Sequence, residues 1–288
     1  MITHDTHNSR VSSPFRWRHA IPPEKGGWVW WIGPLLVGTA AAGQVTWAWL
    51  PLVVAAFAGF CVRHPLALLV KVVWKGRKRA DLAPAVFWGS IYSLVATACG
   101  LVLFLEGHIW VAWIAAVGMP IFLWHLWLVR RGEDRHQLLL DLAAAAFLSL
   151  TAPAAYWACG GADNRLAWSL WLVMFLQSSA SIVHMFLRLQ QRRLDASPPL
   201  SVRLRTGAKP LAHHLVNLAI AAGLAGAGLV PALVVAAMAI SVAEGIYSVL
   251  NPPVKRNIKQ LGMRQLWVST AFVAVMLAAF LPAILGAR

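Results

Sequence analysis

The sequence predicts an all-α fold, a polytopic transmembrane bundle of about nine helices. Three observations predict it. Of 288 residues, 59% are hydrophobic and only 12% are charged, about half the charged share of an ordinary soluble domain. Apolar runs of roughly 17–25 residues, the length that a bilayer core demands of a helix, recur from Gly26 to the C-terminus. Lysine and arginine gather in alternate connections between these runs, as in a chain threaded through a membrane with its positive loops inside.

The predicted spans are 26–43, 45–62, 84–104, 108–129, 138–159, 166–187, 211–229, 232–251 and 266–285. Residues 1–25 form a polar, basic tail in which no apolar stretch follows a short charged start, so they read as a cytoplasmic tail rather than a signal peptide. Residues 26–288 then form a single membrane domain. The tail and the four connections on its side of the membrane hold four, six, three, six and four basic residues, 23 of the 25, and only Arg165 and Arg288 fall on the opposite side. The expected placement is a multi-pass protein of the bacterial inner membrane, N-terminus in the cytoplasm and C-terminus outside. The net charge of +15 is thereby a topology signal. Anionic lipid headgroups are the expected partners, and nucleic acid is not.

Each span has its own signals. Span one opens with "PPEKGGW": Pro22 and Pro23 stop any preceding helix, and Glu24 and Lys25 stand at the mouth of the first helix, where its dipole favours a carboxylate or a bound anion. Span two ends at Arg63-His64-Pro65, and residues 63–83 are expected to lie along the headgroup layer. Span four carries His125 one turn from its cytoplasmic end, and Asp141 opens span five on the same side. Span six has Gln177, Ser178, Ser179 and Ser181 near its middle, followed by His184 and Arg188 on one face. Span seven begins with His213, His214 and Asn217, and its Gly223, Gly226 and Gly228 read as close helix contacts. Span eight places Glu244 about 10 Å inside the cytoplasmic helix end. Most tryptophans, Trp28, Trp30, Trp31, Trp47, Trp49, Trp110 and Trp267 among them, read as interfacial anchors. Cys61, Cys99 and Cys159 read as small buried residues, with a Cys99–Cys159 disulfide as the alternative.

Polar side chains thus concentrate in the cytoplasmic half of the bundle. Because a polar group in lipid is costly, they should face one another or water. The expectation is a cytoplasm-facing basic pocket for an anionic or amphiphilic, lipid-type small molecule, with Glu24, Lys25, Arg63, His64, His184, Arg188 and Glu244 as candidate binding residues. Taken singly, Arg63, His64 and Arg188 are also explained by snorkelling to the interface, and Glu24 with Lys25 by a helix cap. Glu244 needs a partner at its depth, and Arg63, His184, Arg188 or Lys25 could supply one. No histidine pair has metal-ligand spacing, and no metal or cofactor is expected. A permease and an accessory subunit of a membrane complex are the alternative functions.

The start "IPPEKGGWVWWIGPLLVG", in which Glu24, Gly26 and Trp28 fall on a Pro-x-Glu-x-Gly-x-Trp pattern, resembles the opening of the YwiC-like family of bacterial membrane proteins. Lys25 stands where that family usually has histidine. "SSASIVHMFLRLQQRR" (178–193) and "NPPVKRNIKQLGMRQL" (251–266) agree as well. The resemblance implies an integral membrane protein and assigns it no reaction. Nine spans with an inside N-terminus and a polar cytoplasmic half also look like the UbiA-type intramembrane prenyltransferases. Those enzymes hold Mg²⁺ and a diphosphate on two Asp-rich motifs. At the corresponding places this chain reads "GFCVRHP" and "SIVHMFLR", basic instead of acidic, so the likeness implies a related architecture without the Mg²⁺ chemistry.

Overall fold

A computed structural model of the protein describes residues 17–22, 25–77, 79–134 and 137–286. Among them are α-helices and 3-10 turns and no strand. The order is α1 (Trp17–Ala20), a 3-10 turn (Lys25–Trp28), α2 (Val29–Ala42), α3 (Trp49–Lys75), a second 3-10 turn (Arg79–Asp81) and α4 (Leu82–Leu105). There follow α5 (Trp110–Arg131), α6 (Leu138–Ser149), α7 (Thr151–Ala158), α8 (Asn164–Gln191), α9 (Leu200–Gly226), α10 (Leu233–Leu250), α11 (Ile258–Ala279) and α12 (Leu281–Gly286). With α6 and α7 taken as one broken rod, and α11 and α12 as another, nine rods occupy the places of the nine predicted spans. Seven of them are long and apolar enough to cross a membrane. The chain is a multi-pass membrane protein.

Several boundaries differ from the sequence reading. Span two does not end at Pro65, because α3 runs on to Lys75. Proline removes one backbone donor, and the apolar "LALLV" that follows keeps the rod helical in spite of it. The helix stops only at Gly76, whose φ of 63° suits glycine alone without cost. Residues 66–75 therefore extend a span rather than start a surface segment. Likewise α9 begins eleven residues before the predicted 211, and α11 begins eight before 266. The long basic connections are in large part helix.

Span five is broken at Leu150. Pro153 has no N–H to return to the Ser149 carbonyl, and the chain restarts as α7. Thr151 Oγ1 donates to the carbonyls of Leu148 (2.7 Å) and Trp31 (3.1 Å), so the break is tied to α2.

Two apolar clusters fill the bundle. One joins α2, α7, α8, α9, α10 and α11 through Val37, Leu170, Val173, Val234, Met238, Phe272 and Met276. The other joins α2, α3, α4 and α7 around Trp31, Leu52, Phe60, Tyr92 and Leu103. Trp31 is thus a core residue and not an interfacial anchor, whereas Trp47 and Trp267 are exposed. All three cysteines are free thiols.

The glycines that permit close approach are not those of span seven. A Cβ on Gly223, Gly226 or Gly228 would meet nothing within 4 Å. A Cβ on Gly38 would instead strike the backbone carbonyl of Ala152, so α2 and α7 touch backbone to backbone. Gly38→Ala is expected to destabilise the protein by about 1–3 kcal/mol, as overpacking does. Gly226→Ala should leave stability unchanged or slightly raised. Thermal unfolding of both variants in one detergent checks the contrast, and equal melting temperatures would refute it.

Candidate functional site

The candidate residues divide between two places on adjoining faces of α8, with Ser181 at the edge they share. The first is a cavity of about 670 Å³. Its walls come from α2, α3, α5, α6, α8 and α11, together with Gly27 of the first 3-10 turn and Asp134 of the connection after α5. Trp30, Phe60, Phe122, Phe147, Ile182 and Leu266 give it a largely apolar lining. Where the helices approach their basic connections the lining becomes ionisable, with Arg63, His125, Asp134 and Asp141. The Arg63 guanidinium stands 5.7 Å from the Phe60 ring centroid, over its face. Lys71 Nζ binds Asp134 Oδ2 at 2.8 Å. Burial alone would raise the Asp134 carboxyl, but this ammonium outweighs it and holds the group below its ordinary value.

The second place is a buried polar seam between α8, α9, α10 and α11. Gln177, Ser181, His184, Arg188 and Gln191 recur along α8 at intervals of four, three, four and three residues, so they form one stripe, and all are buried. Facing them on α10 are Ser241, Glu244 and Ser248, at intervals of three and four. Ser241 donates to Gln177 Oε1, and Gln265 of α11 donates to Ser181 Oγ at 2.8 Å.

Glu244 is the centre of the seam. Arg264 grips it with two nitrogens, Nε to Oε1 at 2.8 Å and Nη2 to Oε2 at 2.7 Å. Ser248 Oγ donates to Oε1 at 2.9 Å. Arg188 Nη1 stands 3.6 Å from Oε1, and His184 Nε2 stands 3.7 Å from it. The Arg264 guanidinium carbon also stands over the Tyr247 ring, 3.8 Å from its centroid. One carboxylate thus faces two guanidiniums, a paired arrangement that a low dielectric requires.

The structure brings His184, Arg188 and Glu244 together as expected and adds Arg264. It separates them from Arg63, which lines the cavity alone among the proposed partners of Glu244. The single basic pocket of the sequence reading is therefore two sites. His64 is half-buried and stands outside both. Lys25 opens the 3-10 turn that carries Gly27 to the cavity, and Glu24 lies outside the described residues. Arg264 was missed because it reads as a headgroup residue two places before span nine. The asparagine cap at Asn257, whose side chain accepts from Lys259 N, marks the true helix start. Among the described residues no three His, Cys, Asp or Glu side chains stand where they could hold a metal ion.

Residues 21–156 match the family model described as YwiC-like protein. The "Uncharacterized protein YwiC" of Bacillus subtilis (strain 168) is 28% identical over 178 residues, which are 61% of this chain and 70% of that protein. No solved structure matches the chain.

Removing the carboxylate leaves two guanidiniums facing each other without compensation. Glu244→Leu is expected to cost about 3–5 kcal/mol. Glu244→Asp, a shorter carboxylate, should cost less. Chemical or thermal unfolding in detergent reads both, and a Glu244→Leu protein as stable as the parent would refute the pairing.

Proposed function

Taking the chain as a YwiC-like multi-pass membrane protein, we propose that it binds one amphiphilic, lipid-type small molecule within the bundle. The observation that carries this reading is the 670 Å³ cavity and the polarity gradient of its walls. The volume lies within the roughly 300–1,000 Å³ of small-molecule sites. An apolar chain would lie among Trp30, Phe60, Phe147 and Leu266, and a polar head would sit against Arg63 and His125. Asp134 is paired with Lys71, and Arg63, His125 and Asp141 line the same end, so this end suits a head that carries negative charge toward Arg63 and keeps a hydrogen-bond donor toward Asp141. An isoprenoid or alkyl chain with a phosphate head meets both demands. No transfer step is assigned to the site. His184, Arg188 and Glu244 support the walls from behind α8 and touch no ligand in this reading.

The test exploits two glycines that line the cavity. A Cβ on Gly59 or Gly262 would stand in open space, and a Leu at either position would take up part of the space that these glycines line. Quenching of Trp30 fluorescence by a brominated single-chain alkyl phosphate is the measurement. Gly59→Leu and Gly262→Leu should abolish saturable quenching while leaving the melting temperature near the parent value. Arg63→Gln should weaken binding about tenfold or more, the loss of a charge-assisted hydrogen bond worth roughly 1.5–3 kcal/mol. Saturable quenching that survives all three changes would end the proposal.

The gathering of Lys and Arg in alternate connections supports a reading in which the head end of the cavity faces the cytoplasm of a bacterial inner membrane. In a cysteine-free background, Asp163→Cys should react with an impermeant thiol reagent from outside intact cells, and Arg193→Cys only after lysis. The reverse pattern would invert the assignment.

A further inference from the structure

One amide at the heart of the bundle is only half satisfied. Gln177 of α8 is 4% exposed, and its Oε1 accepts from Ser241 Oγ. Its Nε2 is sealed as well, yet has no partner among the described residues. An amide nitrogen can only donate. A buried donor without an acceptor is costly, and native structures keep one chiefly where something comes to meet it.

Gln177 borders a notch of about 10 Å³, room for a single oxygen. Ser178 and Ser181 of α8, Ser269 of α11, and Val29 and Trp30 of α2 stand around it. Four of these residues, Val29, Trp30, Ser181 and Ser269, also line the 670 Å³ cavity, so the notch adjoins that cavity. Its polar lining is biased toward donors. Ser181 Oγ already accepts from Gln265 Nε2 at 2.8 Å, which leaves its own proton to give. The helix α2 begins here, beside residues near the middle of α8 and of α11, so the positive end of its dipole borders the notch. No ionisable side chain lines it. The notch therefore suits an oxygen that accepts and carries no full charge.

We propose that the notch is a second polar subsite of the cavity and takes a carbonyl oxygen, ketone or ester, carried on the chain of the bound amphiphile. The proposal rests on the reading of the cavity as an amphiphile site and narrows its ligand class. A carbonyl oxygen has two lone pairs and no proton, which matches Gln177 Nε2 and the Ser181 hydroxyl. A water in the same place would have two protons of its own to settle. A plain hydrocarbon chain fills the cavity but leaves the amide nitrogen unmet. The apolar body and the charged end of the cavity thus set affinity for amphiphiles in general, while the notch distinguishes a chain that carries an oxygen from one that does not.

The test uses full-length protein in nanodiscs and two kinds of probe. One is a brominated alkyl phosphate, and the other is a series of the same molecule with one isotope-labelled ketone moved along the chain. One ketone position is expected to bind roughly three- to tenfold tighter than the plain chain, the worth of one net hydrogen bond. The infrared carbonyl stretch of that bound probe should fall to the wavenumber of a hydrogen-bonded ketone. Gln177→Leu should erase both the gain and the shift while leaving the plain chain bound as before, and Ser178→Ala should leave plain-chain binding equally untouched. If Gln177→Leu does not fold, the parent protein decides alone, through the dependence on ketone position and the carbonyl stretch. Plain-chain binding with no favoured ketone position, a bound carbonyl that absorbs as in hydrocarbon, or a gain that survives Gln177→Leu would overturn the subsite and leave the cavity reading standing. Failure of every probe to bind would end both.

Discussion

Glu244 is held at once from two helices besides its own, and the basic end of the bundle depends on that hold. Apolar contacts do little to choose one helix arrangement over another in lipid, because the tails are as apolar as the side chains. A carboxylate placed there leaves far fewer choices. It must meet cations, and Arg188 and Arg264 can reach it only when α8 and α11 stand on either side of α10. The smaller bonds follow the same seam: Ser241 to Gln177 repeats the α8–α10 contact, and Gln265 to Ser181 adds an α8–α11 contact, two to three turns along α8 from Arg188. His214 adds α9, packed so closely that a Cβ on Gly245 would stand 3.0 Å from its ring.

With α8 pinned on one side, its other side is free to wall a cavity. Ile182, Met185, Phe186 and Leu189 line the cavity, while His184 and Arg188 face the seam. One helix thereby separates a region built for charge from a region built for an apolar chain. α11 does the same on a smaller scale, with Arg264 turned to Glu244 and its neighbour Gln265 turned to the cavity and Ser181.

The all-α membrane fold was legible because hydropathy reports the solvent directly. Glu244 was legible for the same reason, since its depth demanded a partner. Of its partners, His184 and Arg188 were legible and Arg264 was not. Arg264 sits on a helix that starts at Ile258, and "NIKQLGMRQL" is too polar to announce itself as part of a span; only the Asn257 cap carried a signal. Arg63 was grouped with Glu244 on depth alone, and depth does not encode which face of a neighbouring helix a side chain meets. The span-seven glycines misled in the opposite direction. Their spacing matched close packing, yet the backbone contact formed at Gly38, an isolated glycine in "LLVGTAAA".

The stripe on α8 also constrains how this chain can change length. Each residue turns an α-helix by about 100°, so one residue inserted between Gln177 and Gln191 rotates everything beyond it by that angle. Arg188 and Gln191 would swing away from α10 while His184, if upstream, stayed. Insertions of three or four residues come nearer to whole turns, and seven nearly restores the phase. Through this segment α8 therefore behaves as a toothed rod, tolerant of side-chain exchange on its cavity face and intolerant of a slipped tooth. The connections that flank it, 160–163 and 192–199, are where additions and deletions can be absorbed.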